Sequence, residues 1–474
     1  MVAGGIGPQF RGGLASKRAI PGKAVAMRRP SVSSPWLRLA AAIATLALAT
    51  LALAAPAGAA AAPTLVKDIN PSGDAHPTSL TRVGNTLFFA ANDGVHGVEL
   101  WKTDGSAAGT KMVKNIRPYG KSSSPMNLLN VNGTLFFTAN DGTHGRELWK
   151  SDGTKAGTVM VKDIITGPKD QFGGNGIAIH ERPIAIGNRL FFLVDICCVG
   201  TSGLFVSDGT SAGTRQLTNY GVMLPDEGSV GAASGKFYFV AIDTDGEDFY
   251  SQLWVSNGTT AGTRPVPGSP TPDEMGILPA AGQYLYFSTS DAPDEWTAPT
   301  IRVWRTDGTA AGIKALTRTD ELADAPTQAV LMNSRLYFND DALWKTNGTA
   351  AGTKPISNGG LAWLTKAGGQ LFFTRGSHLW KSDGAALGTK DMGVFGTQWP
   401  RELIGVGAEL CFAEMDWDGG TWALWESDGT APGTYQVRSF LGAPDELYQA
   451  AMGGRLFFSA DDGVHGVELW SYTP

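Results

Sequence analysis

The chain has 474 residues, of which 42% are hydrophobic, 17% are charged and 62 are glycine, with a formal net charge of −6. This apolar content excludes a chain that is disordered over most of its length. The three cysteines, Cys197, Cys198 and Cys411, are too few and too irregularly spaced for a disulfide framework, and small buried side chains are the favoured interpretation.

Residues 1–62 differ in composition from the rest of the chain. They contain seven Lys and Arg residues and no Asp or Glu, and they end in the Ala-rich run LAAAIATLALATLALAAPAGAAAA. This pattern predicts a secretory signal peptide, with Met27 as an alternative start and cleavage near Ala59. The run is short for a membrane span. Residues 63–474 are predicted to form one exported, monomeric domain without a membrane span. Its net charge of −13 (−6 minus 7) argues against nucleic acid as a partner.

A Leu-Trp pair or a close variant recurs nine times after the leader. An aromatic segment such as LFF or LYF precedes each pair. A turn such as SDGTKAGT and an apolar segment such as VMVKDI follow the first eight. The pairs are Leu100–Trp101, Leu148–Trp149, Leu204–Phe205, Leu253–Trp254, Val303–Trp304, Leu343–Trp344, Leu379–Trp380, Leu424–Trp425 and Leu469–Trp470. Each unit therefore predicts four short strands separated by Gly, Asn and Asp.

The length of the repeat indicates the architecture. The 412 residues from 63 to 474 give about 46 per unit, which is typical of a propeller blade. Neighbouring side chains of a strand point to opposite faces, so LFF and LW predict strands buried on both faces. We predict an all-β fold, a β-propeller of four-stranded blades. Nine blades are expected. Eight plus an irregular unit is the alternative, because the units ending at Trp344 and Trp380 are the shortest.

The two ends of the repeat array are complementary. The segment PTLVKDI after the leader matches a fourth strand with no unit before it, and the final ELWSYTP matches a third strand with no fourth strand after it. We therefore predict that strand 64–69 pairs with strand 467–472 and closes the ring. This pairing would cover an edge that otherwise promotes aggregation.

A turn box follows eight of the nine pairs. Asp or Asn precedes a Gly, and a second Gly stands five residues after that Asp or Asn. Asn keeps the side-chain oxygen and lacks the charge, so the position is expected to need an acceptor for a backbone N–H and tolerance of positive φ, and not a carboxylate. These predicted turn residues are Asp104, Asp152, Asp208, Asn257, Asp307, Asn347, Asp383 and Asp428.

The repeat resembles the ELWxxDGT repeat family of exported bacterial proteins. The match is close at ELWKTDGSAAGT (99–110) and ELWKSDGTKAGT (147–158), and looser at QLWVSNGTTAGT (252–263) and ALWESDGTAPGT (423–434). The resemblance covers essentially all of the chain after the leader. It implies export and a repetitive β architecture, and it brings no catalytic residues with it.

Three loops between the second and third strands carry Asp, His and Glu at one spacing. Metal ligation by each trio is one interpretation. The favoured interpretation is a turn in which His covers a blade edge, because most Asp-Gly pairs form turns. The trios belong to units that become neighbours only if the ring closes. They are Asp93, His96 and Glu99; Asp141, His144 and Glu147; and Asp462, His465 and Glu468.

Two acidic segments resemble fragments of calcium loops. Asp243, Asp245 and Asp248 alternate beside Gly in DTDGED, and Asp416 and Asp418 stand in DWDGG. Neither segment supplies the spaced Glu of an EF-hand, so a solvated acidic loop is favoured. Calcium is the only candidate cofactor, with Asp243, Asp245 and Asp248 as candidate ligands.

An insertion around residues 164–188, with His180, Glu181 and Arg182, is the longest departure from the repeat. Departures from a repeat are places where function can be added, although a loop of a longer blade is the default interpretation.

Three functions remain open. The favoured one is a secreted, non-catalytic propeller that binds a surface glycan or another exported protein. The second is an extracellular hydrolase or lyase that uses loop carboxylates as acid and base. Its first candidates are Asp243, Asp245, Asp291, Asp294 and Glu295. The third is a structural component of the cell surface or matrix.

Overall fold

A computed structural model shows an almost entirely β protein. Its described residues form 37 β-strands and three short 3-10 helices, η1 (Ala310–Gly312), η2 (Ala350–Gly352) and η3 (Ala386–Gly388). No helix in the described part of the chain is both long and apolar enough to span a bilayer. The structure describes residues 62–165, 177–179, 183–196, 201–218, 230–245, 248–292, 297–318, 321–442 and 447–474.

The strands form nine successive units, of which the first five are as follows. Unit 1 has β2 (Thr78–Val83), β3 (Thr86–Asn92), β4 (Val98–Thr103) and β5 (Lys111–Lys114). Unit 2 has β6 (Met126–Val131), β7 (Thr134–Asn140), β8 (Arg146–Ser151) and β9 (Val159–Lys162). Unit 3 has a first strand in two pieces, β10 (Ala178–Ile179) and β11 (Ile184–Ile186), then β12 (Arg189–Ile196), β13 (Thr201–Ser207) and β14 (Arg215–Gln216). Unit 4 has β15 (Val230–Ala233), β16 (Lys236–Asp245), β17 (Asp248–Ser256) and β18 (Arg264–Pro265). Unit 5 has β19 (Glu274–Ala281), β20 (Tyr284–Asp291), β21 (Thr300–Thr306) and β22 (Lys314–Ala315).

The remaining four units have the same antiparallel order. Unit 6 has β23 (Ala329–Met332), β24 (Arg335–Asn339), β25 (Ala342–Thr346) and β26 (Lys354–Asn358). Unit 7 has β27 (Ala362–Ala367), β28 (Gln370–Arg375), β29 (His378–Ser382) and β30 (Lys390–Val394). Unit 8 has β31 (Pro400–Val406), β32 (Glu409–Asp416), β33 (Thr421–Ser427) and β34 (Thr434–Leu441). Unit 9 has β35 (Gln449–Met452), β36 (Arg455–Asp461) and β37 (Val467–Tyr472), and β1 (Thr64–Lys67) is its fourth strand.

The units are arranged as a closed ring. The first strand of each unit contacts the first strand of the next, and β35 of unit 9 contacts β2 of unit 1. By hydrogen bonding the strands form eight sheets, because one bridge between Leu441 and Asp461 joins units 8 and 9. The prediction of an all-β propeller with four-stranded blades is confirmed. The number of blades, nine or eight plus an irregular unit, stays a prediction.

The N-terminal strand closes the ring as predicted. β1 runs antiparallel to β37, with Thr64 opposite Ser471 and Leu65 opposite Trp470. The hydroxyl oxygens of Thr64 and Ser471 are 3.3 Å apart. The two partners are 407 positions apart in the chain, so this one ladder converts an open array into a ring.

The closing strand is shorter than predicted. It ends at Lys67 and not at residue 69. The physical reason is a change of hydrogen-bond partner, because the N–H groups of Ile69 and Asn70 donate to the carboxylate of Glu468, each at 2.9 Å. The side chain of β37 therefore replaces its backbone as the acceptor where the two segments diverge.

The core lies between neighbouring sheets. In unit 1, Phe88 and Leu100 pack against unit 2, whereas Leu87, Phe89 and Trp101 pack against unit 9. All five side chains are buried. The predicted burial of both strand faces is thus confirmed, and each sheet depends on a neighbour on either side.

One of the three cysteines lies in this core. Cys411 is fully buried between units 8 and 9 and forms no disulfide. Cys197 and Cys198 lie outside the described residues.

The closing ladder predicts a covalent lock. Thr64→Cys combined with Ser471→Cys places two thiols on directly opposite residues, and the resulting disulfide should raise the free energy of unfolding by about 3–5 kcal/mol. The increase should appear in the thermal midpoint and should vanish on adding reductant. Each single Cys variant is the control. A double variant that forms no disulfide under oxidising conditions would contradict the pairing of these two strands.

Candidate functional site

The antiparallel units give the ring two different faces. Each unit places the loop between its second and third strands, and its connection to the next unit, at one end; we call this end the loop face. The turn boxes between the third and fourth strands lie at the opposite end, the turn face. Loops that differ in sequence therefore collect on one face, and repeated turns collect on the other.

On the turn face the predicted Asp and Asn residues organise the turns. In unit 2, Asp152 Oδ1 accepts hydrogen bonds from the backbone N–H and the hydroxyl of Thr154, at 2.8 and 2.7 Å. A Cβ at Gly157 would lie 2.2 Å from the carboxylate carbon of Asp152, so only glycine fits there. The bond to the backbone N–H two residues later recurs at Asp104, Asp208, Asn257, Asp307, Asn347, Asp383 and Asp428.

Two features of this turn differ from the sequence analysis. Positive φ falls on the following glycine, for example Gly153 with φ 85°, and not on the Asp or Asn itself. The role of the buried hydroxyl just before the Asp was not predicted. Ser151 accepts the N–H of Gly153 at 2.9 Å, and its hydroxyl lies 2.8 Å from that of Thr158. The signal was present, because Ser or Thr precedes every one of the eight residues.

On the loop face the three Asp-His-Glu trios separate into two structural roles. His96 Nδ1 lies 2.7 Å from Asp93 Oδ2, and Asp93 Oδ1 accepts the N–H groups of Val95 and His96. The same pair forms between Asp141 and His144. Across the described ranges, no group of three or more His, Cys, Asp or Glu side chains could hold a metal ion. The Glu of each trio is fully buried and accepts backbone N–H groups, so it does not join the paired Asp and His side chains.

The buried Glu residues hold the ends of fourth strands. Glu468 is fully buried and accepts the N–H groups of Ile69 and Asn70. Glu147 is equally buried and accepts the N–H of Ile164 at 2.8 Å. Burial raises the pKa of both Glu147 and Glu468 to about 7, against the opposing effect of the backbone N–H donors.

The candidate calcium ligands lie on one hairpin of unit 4. Asp243 and Asp245 are in the last part of β16, Asp248 begins β17, and Asp245 is paired with Asp248 in the backbone register. Their side chains lie outside the described part of the structure. In the second acidic segment, Asp416 Oδ1 accepts the N–H of Gly419 at 3.0 Å, which closes a turn.

Of the remaining sequence candidates, only Asp291 has a described side chain. Asp291 is exposed at the end of β20. The side chains of the other four candidate carboxylates of a hydrolase lie outside the described residues, as do His180, Glu181 and Arg182 of the insertion.

A groove on the loop face, between units 7 and 8, is the strongest candidate site. Its volume is about 350 Å³, within the range of small-ligand sites of about 300–1,000 Å³. We call it the tryptophan groove. It is lined by Gly360, Leu361, Ala362, Trp363, Thr374, Gly376, Trp399, Pro400 and Arg401.

Two tryptophans beside this groove are unusually exposed. Trp399, in the connection between units 7 and 8, is 64% exposed, and Trp417, in the hairpin of unit 8, is 47% exposed. Large aromatic side chains are normally buried, so an exposed ring in the groove and a second exposed ring beside Arg401 indicate a binding surface.

The short hairpin of unit 7 helps to open the groove. Arg375 pairs directly with His378, so only Gly376 and Ser377 connect β28 to β29. A Cβ at Gly376 would have no atom within 4 Å. The hairpin of unit 8 is longer and carries Trp417 between β32 and β33. The groove therefore lies where a short loop stands beside a longer one.

Trp363, one of the residues that line the groove, has a strained backbone conformation. Trp363 has φ 56°, a left-handed conformation that is an outlier for a bulky side chain and costs about 1–3 kcal/mol. It lies at a β-bulge between Ala362 and Thr365, and bulges re-aim side chains. The corresponding bulges of other units place smaller or charged residues in this conformation, namely Ser79, Asn127 and Glu402.

A buried carboxylate positions the connection that carries Trp399. Glu414 is buried and accepts the backbone N–H of Gln398, next to Trp399. Glu414 stands directly opposite Ala423 in the ladder, whereas in unit 1 the Glu of the ELW motif stands opposite Ala91. The carboxylate acceptor therefore lies on the second strand in unit 8, whereas it lies on the third strand in unit 1.

Arg401 supplies the charge of the groove. Among the described residues that line the groove, it is the only ionisable one. Its guanidinium carbon lies 5.5 Å from the ring centre of Trp417. Its Nε is buried and has no hydrogen-bond partner within the described structure. The groove thus combines aromatic surfaces with one cation that has an unused donor.

Comparisons with known proteins extend this description little. No protein-family model matches the chain, so the family resemblance stays a prediction, and no curated protein matches it either. The chain is similar to the computationally designed Ika8 protein, with a TM-score of 0.42, 11% identity and coverage of 74% of this chain and 96% of that one. It is similar to a puromycin-hydrolysing peptidase of Mycobacterium tuberculosis, with a TM-score of 0.40, 11% identity and coverage of 85% and 61%. It is also similar to the β-propeller domain of the trilobed protease from Pyrococcus furiosus, with a TM-score of 0.37, 12% identity and coverage of 68% and 99%.

The turn geometry predicts opposite outcomes for two small substitutions. Gly157→Ala should lower the free energy of unfolding by about 1–3 kcal/mol, because the new methyl group would overlap the carboxylate of Asp152. Asp152→Asn should change stability by less than about 0.5 kcal/mol, because Asn257 makes the same bond with its amide oxygen. Urea unfolding measures both. A larger loss for Asp152→Asn than for Gly157→Ala would contradict this account of the turn.

Buried Glu468 predicts a pH dependence of stability. Its folded pKa of about 7 lies above the usual value of 4.5, so its contribution is fully present below about pH 4.5 and is lost as the pH rises through 7. Glu468→Gln imitates the protonated side chain and should reduce the decline in unfolding free energy between pH 5 and pH 8 by about 1–3 kcal/mol.

Glu147→Gln is the matched variant within a unit that is continuous in sequence. This variant should reduce the decline in unfolding free energy between pH 5 and pH 8 by a similar amount. The effects of the two variants should add because the residues lie in different units. Chemical unfolding at several pH values tests both. An unaltered pH slope in Glu468→Gln would contradict the assignment.

Proposed function

We propose that this protein is a secreted, non-catalytic β-propeller that binds a surface glycan through the tryptophan groove. The observation that carries the proposal is the pair of exposed rings, Trp399 and Trp417, beside a small groove on the loop face. Secretion is inferred from the basic and apolar leader at residues 1–62.

The groove matches the surface chemistry of a sugar. A pyranose ring has an apolar face of C–H groups that packs on the flat face of an indole, and its hydroxyls require hydrogen-bond partners around the edge. Trp363 and Trp399 offer ring surfaces in the groove, and Thr374 and Arg401 offer polar groups. A rigid aromatic side chain contributes this contact area with little loss of conformational entropy.

The size of the groove favours a glycan over a protein partner. This groove encloses about 350 Å³, within the range of small-ligand sites of about 300–1,000 Å³. A stable protein partner would need a much wider contact surface, of more than about 1,000 Å². The lining favours binding over hydrolysis, because glycoside hydrolysis uses two carboxyl groups beside the scissile bond. The described lining residues include no Asp or Glu.

The proposal predicts that both exposed rings are needed for binding. Trp399→Ala and Trp417→Ala should each weaken glycan binding by about 5- to 100-fold, because an aromatic stacking contact contributes about 1–3 kcal/mol. Binding to a glycan array followed by titration calorimetry on a bound glycan measures the effect.

Tyr119→Ala is the matched control. Tyr119 is 93% exposed and lies in the connection between units 1 and 2, away from the groove. This variant should bind like the wild type. Equal affinity for Trp399→Ala and the wild type, or binding only to an exported protein and to no glycan, would contradict the proposal.

A further inference from the structure

We propose that the tryptophan groove recognises an acidic sugar, and that Arg401 binds the carboxylate of a uronic acid residue. This inference rests on the proposed glycan-binding function and names the class of sugar. It depends on the position of one cation in an otherwise uncharged lining.

The Arg401 side chain has a hydrogen-bond donor that is not used within the described structure. Its Nε is buried without a partner among the described residues, and a buried donor without a partner is unfavourable. A ligand oxygen that reaches this donor would remove the penalty. The guanidinium therefore favours a ligand with an acceptor at this edge of the groove.

The second step is the charge of that acceptor. Arg401 is the only ionisable residue among the nine that line the groove, so no described lining carboxylate neutralises it there. A planar guanidinium can donate two parallel hydrogen bonds to a carboxylate, and a charged acceptor gives stronger bonds than a hydroxyl. An anionic substituent is therefore the best match, and its planar form is a carboxylate.

The third step is the fixed position of the cation. The guanidinium carbon is 5.5 Å from the ring centre of Trp417, and Pro400, which precedes Arg401, is buried with its φ fixed by the ring. Arg401 is the second residue of β31 and stands opposite Ala413 in the ladder. The side chain thus extends from a rigid strand, and a preorganised donor loses little entropy when it binds.

The overall charge makes this contact specific. Residues 63–474 carry a net charge of −13 (−6 minus the 7 positive charges of the leader), so an acidic polysaccharide is repelled by most of the molecule. Non-specific adsorption of a polyanion is therefore disfavoured. Binding of an acidic glycan would report a local contact such as that with Arg401.

Matched pairs of glycans test this inference. Oligomers of galacturonate, glucuronate and mannuronate are compared with their neutral methyl esters, by titration calorimetry against the full protein. The wild type should bind at least one free acid about tenfold or more tightly than its ester. Arg401→Gln should remove this preference and keep the weaker binding of the ester. Arg401→Lys should retain part of the preference, because it keeps the charge and loses the planar fork.

The outcomes separate the two proposals. Equal binding of every acid and its ester by the wild type overturns the uronate inference and leaves the glycan-binding proposal standing. Binding of sulfated dextran as tight as that of the best uronate overturns the carboxylate assignment. If the wild type binds none of these glycans, the uronate inference is overturned. If it binds no glycan on a broad array, the proposed function is overturned. An unaltered acid preference in Arg401→Gln, with a thermal midpoint equal to that of the wild type, overturns the role of Arg401.

Discussion

Every sheet of this protein has two apolar faces, and this constraint determines the rest of the structure. Phe88 of unit 1 packs on one neighbour while Phe89, the next residue, packs on the other. Burying one such side chain contributes about 1.5–3 kcal/mol, so a sheet with an uncovered face would lose several of these contributions. An array built from such sheets has no stable end, and closure into a ring removes the ends. The pairing of β1 with β37 is the step that makes closure independent of a partner.

The turn boxes serve as joints between the apolar sheets. Lys102 of unit 1 donates to the carbonyl of Gly153 in the turn of unit 2, and Lys150 of unit 2 donates to Gly209 in unit 3. These hydrogen bonds are directional, whereas the apolar packing between neighbouring sheets is not. The junction of units 8 and 9 has a different contact. There Glu426 stands at the position that Lys102 and Lys150 hold in units 1 and 2, and it accepts the hydroxyl of Tyr472.

The fold followed from the sequence more completely than the site did. Strands, turns and ring closure are determined by residues close together in the repeat, and Asn257 in place of Asp already indicated an acceptor and not a carboxylate. The buried role of Glu468 could not be read from its spacing to Asp462, because it depends on N–H groups at the other end of the chain. The groove was missed for the same reason. Its tryptophans come from different units, and the position of Trp363 depends on a bulge that no residue type in the sequence predicts.

Irregularity in a repeat can create a site by shortening as well as by insertion. The longest departure from the repeat lies around residues 164–188, whereas the groove lies at unit 7, where Trp380 follows Trp344 after only 36 residues (380 minus 344). Only two residues connect β28 to β29, so this hairpin is short and leaves the groove open. Glu414 binds the connection that places Trp399 in the groove lining. A ring of equal units would present a uniform loop face. At the junction of units 7 and 8 a short hairpin stands beside a longer one, and the groove there is lined by aromatic rings and one cation.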